Sequence, residues 1–445
     1  MPEEAIDHMS FLDGLYERLV NRMLEKLSHM KNVKAPLFVD NYTLMTLMAT
    51  AERAKTGLPL SEPLGSSRDF RDFQDLMFVP AMFPSPDGTQ VNTTVTLGRQ
   101  AKKPLVVPVP FMVSAYGYGV SVSKEIKVAL AKGATLGGTA TNSGEGGYLR
   151  EERQNAQRYI VQYNRAGWGN RPEELSDCDM VEIRMGQGAS AGAGYTIKAD
   201  DIGDELMIHL GLNHGQDAVM PWRFPGMNNE NDLRRMVREL KEVTQGSPIA
   251  LKIAAGDVER DLATALHSEV DVIVLDGAQA GTASSPEITI NNFGVPTLYA
   301  LVTADRYLRQ RGVRDKVSLV VAGGIRDAGD VLKAVALGAD AVYLGYAVLF
   351  SLIYTQLEDL DPGTSPLEME VYTGKQTQKL NIDEAAQSVG NFLRSTSAEL
   401  SLAIRCMGKS RLDEVTKDDL VALNREISEI TGVRLAYEPQ DYRNR

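Results

Sequence analysis

The stretch Val317–Leu349, VSLVVAGGIRDAGDVLKAVALGADAVYLGYAVL, decides the fold. Two apolar runs, SLVVA and DAVYLG, flank a short segment of helical pattern. Each run stops at glycine: Gly323 and Gly324 after the first, Gly345 after the second. A helix is predicted to begin near Tyr346, so the turn Gly345–Tyr346–Ala347 offers backbone N–H groups, as does the earlier glycine turn. Such groups hold an anion without a charged side chain, and the loops after the seventh and eighth strands of a (β/α)8 barrel hold a ligand phosphate in this way. An ordinary βαβ unit, with glycines that only make tight turns, gives the same local pattern.

Upstream, strand and helix signals alternate. Expected strands are PLVVPVPFMVSA, ATLGGTAT, DMVEIRMG, a weak fourth near DAVMPW, IALKIAA, VDVIVLDG, SLVVAGG and DAVYLGY. Helical patterns such as SKEIKVALAKG, ENDLRRMVRELKEV, DVERDLATALHSE and PTLYALVTADRYLRQRG lie between most of them. Such an alternation across about 250 residues is the size of a (β/α)8 TIM barrel. An open doubly wound sheet is the alternative, but the first strand lacks a G-x-G-x-x-G turn into a helix.

The chain thus divides into an N-terminal helical and irregular extension over 1–100, the barrel over 101–350 and a C-terminal helical tail over 351–445. In the extension, Phe11, Leu12, Leu15, Leu19, Met23 and Leu27 recur at helical spacing, and a second helical pattern runs through TLMTLMATAERAK. The stretch 59–98 reads as irregular, tucked against the body by Phe70, Phe73, Leu76, Met77 and Phe78. In the tail, SLIYTQLEDL, IDEAAQSVGNFLRSTSAELSLAIRCMG and TKDDLVALNREISEITG read as helical, with Thr416 as an N-cap.

Composition bounds the function. The 445 residues are 43% apolar, enough for one large core. Lys+Arg 47 against Asp+Glu 59 gives a net charge of −12, which argues against nucleic acid and anionic membranes as partners. Apolar runs are strand-sized and the first residues are acidic, so neither a membrane span nor a signal peptide is expected. Two cysteines, Cys178 and Cys406, cannot build a disulfide framework. A cytoplasmic protein is the expectation, with the amphipathic N-terminal helix favouring a homo-oligomer.

Chemistry should gather at the C-terminal ends of barrel strands. ATNSGEGGYLREE places Glu145 among glycines that allow close backbone approach. EIRMGQGASAGAGY places Arg184 and Gln187 at the same rim; Arg184 can clamp a carboxylate or pair with Glu182 or another acid. Lys252 sits inside the apolar run IALKIAA, where an ammonium is costly without a counter-charge or ligand. VLDGAQAGTASSP adds Asp276 and a glycine- and threonine-rich exit. The five histidines share no metal-ligand spacing, no G-x-S-x-G elbow appears, and no metal site is expected.

The segments PFMVSAYGYG, TNSGEGG, IRMGQGASAGAGY, IALKIAA, DGAQAGTASSPEI, VVAGGIRDAGDVLKAVALGADAVYLG and CMGKSRLDEVTKDDLVAL stand in the order seen in FMN-binding glutamate synthase-like proteins. The chain resembles these over roughly residues 70–435, and most of all the stand-alone synthase-domain proteins, including the N-methylglutamate synthase subunit. The resemblance implies an FMN-binding barrel in which reduced flavin passes electrons to an imine of 2-oxoglutarate. It implies that Gly323, Gly324, Gly345, Tyr346 and Ala347 hold the FMN phosphate, and that Ser114, Ala115, Tyr116 and Gly117 lie beside the flavin ring. Asn142, Gln187, Gly281 and Thr282 join the cofactor set. Lys252 faces the flavin's N1–C2=O edge, and Glu145 and Arg184 face the substrate.

Departures from the family pattern narrow this. The family follows its eighth strand with cysteines that bind a three-iron cluster; here GYAVLFSLIYTQLEDLDPG has none, so no iron–sulfur cluster is expected. Arg184 replaces a lysine, SAGAGY replaces K-P-G-x-G-G, and the usual D-G-G-T-G becomes QAGTA at 279–283. A glutaminase domain is not expected either. Three readings remain: an FMN oxidoreductase acting on a small amino-acid or 2-oxo-acid substrate by imine reduction or amine oxidation; an N-methylglutamate synthase-type transferase that needs partner subunits; and a catalytically silent flavin-binding scaffold. The electron donor is open among a nicotinamide, a partner flavoprotein and the substrate itself.

Overall fold

Apolar runs that end at glycine become short parallel strands buried on both faces. In the computed structural model, which describes residues 68–281, 285–361 and 364–438 with isolated positions between 50 and 66, these strands are β1 (Phe111–Val113), β2 (Thr141–Asn142), β3 (Tyr159–Tyr163), β4 (Met180–Arg184), β5 (Ile249–Ala254), β6 (Val272–Asp276), β7 (Ser318–Ala322) and β8 (Ala341–Leu344). They form one 8-stranded sheet in the order β1-β8-β7-β6-β5-β4-β3-β2, parallel throughout. The sheet closes on itself where Ala115 bridges Asn142 and the Val113 N–H donates to the Ala140 carbonyl at 2.9 Å. This is the expected (β/α)8 barrel, and every residue of β4, β6 and β7 is buried, as parallel strands under helices require.

Two strand assignments change. The third barrel strand is Tyr159–Tyr163, not the DMVEIRMG run, which is the fourth. The weak fourth candidate, DAVMPW, lies outside the barrel: Ala218–Met220 pairs antiparallel with Tyr195–Ile197, above the rim. The run PLVVPVPFMVSA also divides. Leu105–Val107 pairs antiparallel with Val95–Leu97, and only Phe111–Val113 enters the barrel.

The helices begin where their capping residues stand. Ser123 caps α1 (Lys124–Leu136), its hydroxyl accepting from the Ile126 N–H, and Asp327 caps α2 (Ala328–Ala336) through the Asp330 N–H. After β8 come α3 (Tyr346–Ile353) and, past an irregular segment, the long α4 (Ile382–Cys406), capped by Asn381. The helix α4 packs against α1, α2 and α3 and completes the outer ring. Glycines set the closeness of its contact with α1. A Cβ at Gly133 would stand 2.5 Å from a Val389 methyl, and one at Gly137 2.5 Å from Leu393 Cβ.

Elsewhere the sequence-based helix over TKDDLVALNREISEITG is broken. Thr416 caps only a short turn, Leu420–Ala422 then pairs antiparallel with Leu76–Phe78, and a helix resumes at Arg425–Thr431. Phe73 and Leu76 are buried as expected, whereas Met77 is exposed, because strand alternation turns it outward. The amphipathic helix expected at 11–27 lies outside the described residues. Among the described residues no helix is long and apolar enough to cross a membrane.

The glycine seam gives a direct test. Gly133→Leu should lower stability by about 1–3 kcal/mol through overpacking, seen as a lower melting temperature, and Val389→Ala in the same chain should recover part of the loss.

Candidate functional site

A cavity of about 520 Å³ opens at the C-terminal ends of the strands. Ser114, Ala115, Tyr116 and Gly117 line it from β1, and Glu145 from the loop after β2. Arg184 and Gln187 come from β4, Lys252 from β5, Gly281 from the loop after β6, Gly323 and Gly324 from β7, and Gly345, Tyr346 and Ala347 from β8. Seven of the eight strands thus bring these residues to one rim. Thr282 lies outside the described residues. Asn142 is not in the cavity wall: its side chain accepts from the Gly144 N–H and donates to Glu182 and Tyr343 below the floor.

The floor is a polar knot inside the barrel. Glu182 is fully buried, and its carboxylate accepts from Gln162 at 2.7 Å, Asn142 at 3.1 Å and the Tyr343 hydroxyl at 2.8 Å. Burial, with Glu182 alongside, holds the Tyr343 phenol well above its ordinary range. Lys252 lies 3.3 Å from Asp276 and over the Tyr343 ring, 5.7 Å from its centroid. Both members of that pair are 2% exposed, so the cation is matched but stays at the cavity wall.

At the opposite side, Arg184 pairs with Glu145 rather than with Glu182, its neighbour along the strand. Its other guanidinium nitrogen donates to Gln187 and Ser190, each at 3.3 Å, and Tyr195 donates to the second Glu145 oxygen at 3.1 Å. Two groups hold these loops. Arg165 donates to the carbonyls of Gly192 and Trp222 at 2.6 and 2.7 Å, and His209 meets the Gly146 carbonyl at 2.8 Å. Gly144, at φ +65°, must be glycine: a Cβ there would stand 2.4 Å from the Gly117 N.

The glycine turns stand at the ends of β7 and β8. Gly323 has φ +107°, and the N–H groups of Gly323, Gly324 and Tyr346 have no backbone acceptor among the described residues. Tyr346 opens α3, so its amide is one of the free first-turn donors. These residues line a cavity whose lysine and arginines are already paired.

Sequence reasoning missed Gln162, Ser190, Tyr195, Arg326 and Glu370. Gln162 was hidden with its strand. Tyr195 belongs to the antiparallel pair above the rim, and Glu370 stands in a segment with no periodic pattern.

A closed parallel barrel with a cavity at its strand ends, lined by paired charged residues and a buried lysine, defines a barrel enzyme. The chain belongs to the glutamate synthase family: residues 84–410 match the conserved region in glutamate synthase. It is 33% identical over 419 residues to a glutamate synthase large subunit-like protein of Rhizobium meliloti (strain 1021), covering 89% of this chain and 94% of that relative. An archaeal-type glutamate synthase [NADPH] of Thermotoga sp. (strain RQ2) is 31% identical, with 84% of this chain and 79% of that protein covered. In fold, the chain is similar to a flavocytochrome b2 variant with benzoylformate, at TM-score 0.51 and 18% identity, covering 83% of this chain and 80% of that one.

Because Arg184 and Glu145 are buried partners, removing one should cost more than removing both. Arg184→Met should lower stability by about 3–5 kcal/mol, and Arg184→Met with Glu145→Gln should restore much of it, measured as urea midpoints in a double-mutant cycle.

Proposed function

We propose that this chain binds FMN and acts as an oxidoreductase on the carbon–nitrogen bond of an amino acid or its 2-oxo-acid-derived imine. The observation that carries this reading is the juxtaposition of the glycine anion cradle with Lys252 in one cavity. Gly323, Gly324 and the first turn of α3 would hold the phosphate, and Ser114–Gly117 would flank the ring. The cavity is in the size range of small-molecule sites. Bound FMN supplies two-electron chemistry, which a protein side chain cannot.

The chain's own residues supply the rest. Lys252 sets a fixed positive charge in a water-poor floor, where it stabilises negative charge developing on a bound ring. Asp276 and the Tyr343 ring hold that ammonium in place. Arg184 is oriented by Glu145, Gln187 and Ser190 toward the cavity, where a substrate carboxylate can exchange for one of these acceptors. The names of the relatives favour a reduced nicotinamide as the electron source, directly or through a partner subunit. We further propose that no iron–sulfur cluster takes part, since the two cysteines of the sequence lie on separate elements, Cys178 buried and Cys406 at the end of α4.

Purified protein should be yellow, with FMN released on denaturation. Anaerobic addition of L-glutamate, an N-methyl amino acid or NADPH should bleach the bound-flavin absorbance. A side chain at Gly345 has room, its Cβ meeting nothing nearer than the Tyr116 hydroxyl at 3.6 Å. Gly345→Asp should therefore keep the fold, judged by its melting curve, yet lose most FMN affinity through charge repulsion. A colourless protein that takes up no added FMN refutes the reading.

A further inference from the structure

One carboxyl group of the cavity wall has no counter-charge. Glu370 lies on the short helix Leu367–Glu370, between α3 and α4. Its backbone carbonyl accepts from the Ser123 N–H, and Val371 bridges Val122 antiparallel, so this segment is held against the loop that follows β1. Leu367, Glu370 and Val371 thereby become wall residues. Glu370 is 3% exposed, and its carboxyl makes no hydrogen bond or ion pair among the described residues.

The other charges of the wall are matched. Arg184 has Glu145, Lys252 has Asp276 at 3.3 Å, and Arg326 has Asp330 at 2.7 Å and Asp72 at 2.9 Å. Of the tyrosines that face the cavity, Tyr116 feels the Glu370 charge, which adds to burial in holding its phenol up. Burial alone pushes Glu370 up to about 7. A lone carboxylate in a dry wall is costly, and an incoming cation removes that cost. A metal ion is a poor candidate, because no group of three or more metal-ligating side chains occurs among the described residues. Val122, Leu367 and Val371 add apolar surface beside the carboxyl, which suits carbon attached to nitrogen.

We propose that Glu370 is the recognition group for the positively charged nitrogen of an amine-bearing ligand, primary or N-alkylated. The inference rests on the amino-acid reading of the cavity and narrows it to ligands that enter as ammonium ions.

Calorimetric titration of the purified protein with L-glutamate, methylammonium and 2-oxoglutarate tests it. Glu370→Gln should weaken both amine probes about 100-fold and leave 2-oxoglutarate, which has no amine, unchanged. Methylammonium affinity for the wild type should rise about tenfold per pH unit below 7 and level off above it, and Glu370→Gln should flatten that profile. The folded carboxyl binds its proton more tightly than an ordinary one at 4.5, so wild-type stability should fall as pH rises from there to about 7. The Gln variant, free of that cost, should melt no lower than wild type at pH 8. Equal loss for all three probes, no loss for the amines, or no binding of either amine by the wild type overturns the assignment. The flavin reading fails separately: colourless protein with Glu370-dependent amine binding refutes flavin and leaves this inference standing, whereas yellow protein without that dependence refutes only this inference.

Discussion

The carboxylate of Glu182 is buried at the centre of the barrel without a cation, and the arrangement above it depends on how that charge is satisfied. Its acceptors take hydrogen bonds from Asn142, Gln162 and Tyr343, which stand on β2, β3 and β8, while Glu182 stands on β4. A buried carboxylate tolerates little slack, since losing any donor leaves part of its charge unsolvated. The knot therefore ties both adjacent and distant strands: Gln162 lies opposite Glu182 in the β3–β4 ladder, and Tyr343 reaches across the interior from β8. Tyr343 in turn places an aromatic face under Lys252, and Arg184 projects two residues beyond Glu182, on the same face of β4.

From that floor upward the cavity follows one electrostatic rule. Cations brought into the barrel mouth arrive with a carboxylate from another element, as Lys252 does with Asp276 and Arg184 with Glu145. The loop that supplies Glu145 is pinned by His209 at the Gly146 carbonyl, and Arg165 pins the loop after β4 at Gly192. Preorganised charge of this kind stabilises developing charge on a ligand without moving at the moment of reaction. It also leaves the backbone amides of Gly323, Gly324 and Tyr346 without a backbone acceptor among the described residues.

Much of this was legible in the chain because parallel strands under helices must be apolar along their whole length. SLVVA and DAVYLG become β7 and β8 for that reason, and the backbone leaves β7 at positive φ at Gly323 and Gly324. The strand that sequence reasoning passed over, Tyr159–Tyr163, carries Gln162 where a barrel interior usually takes an aliphatic residue. Its polar side chain is intelligible only beside Glu182. DAVMPW, the weak fourth candidate, found an antiparallel partner at Tyr195–Ile197. Asn142 stands at a strand end, with its side chain turned to Glu182 and Tyr343 instead of lining the cavity. Glu370 could not be read at all, because its burial comes from a bridge between Val371 and Val122, far apart in the chain.

The outer ring needs a helix after β8, and α4 provides it, yet the chain does not pass directly from α3 to α4. It first runs through Tyr354–Asn381, which contributes wall to the cavity while α4 alone closes the ring against α1. Ring closure and ligand selection are thus assigned to separate stretches of one polypeptide. The two stretches are nevertheless fastened together: Gln356 exchanges hydrogen bonds with the main chain of Asn381, the residue that caps α4, and Val371 bridges Val122. A shift at the start of α4 is therefore felt in the cavity wall.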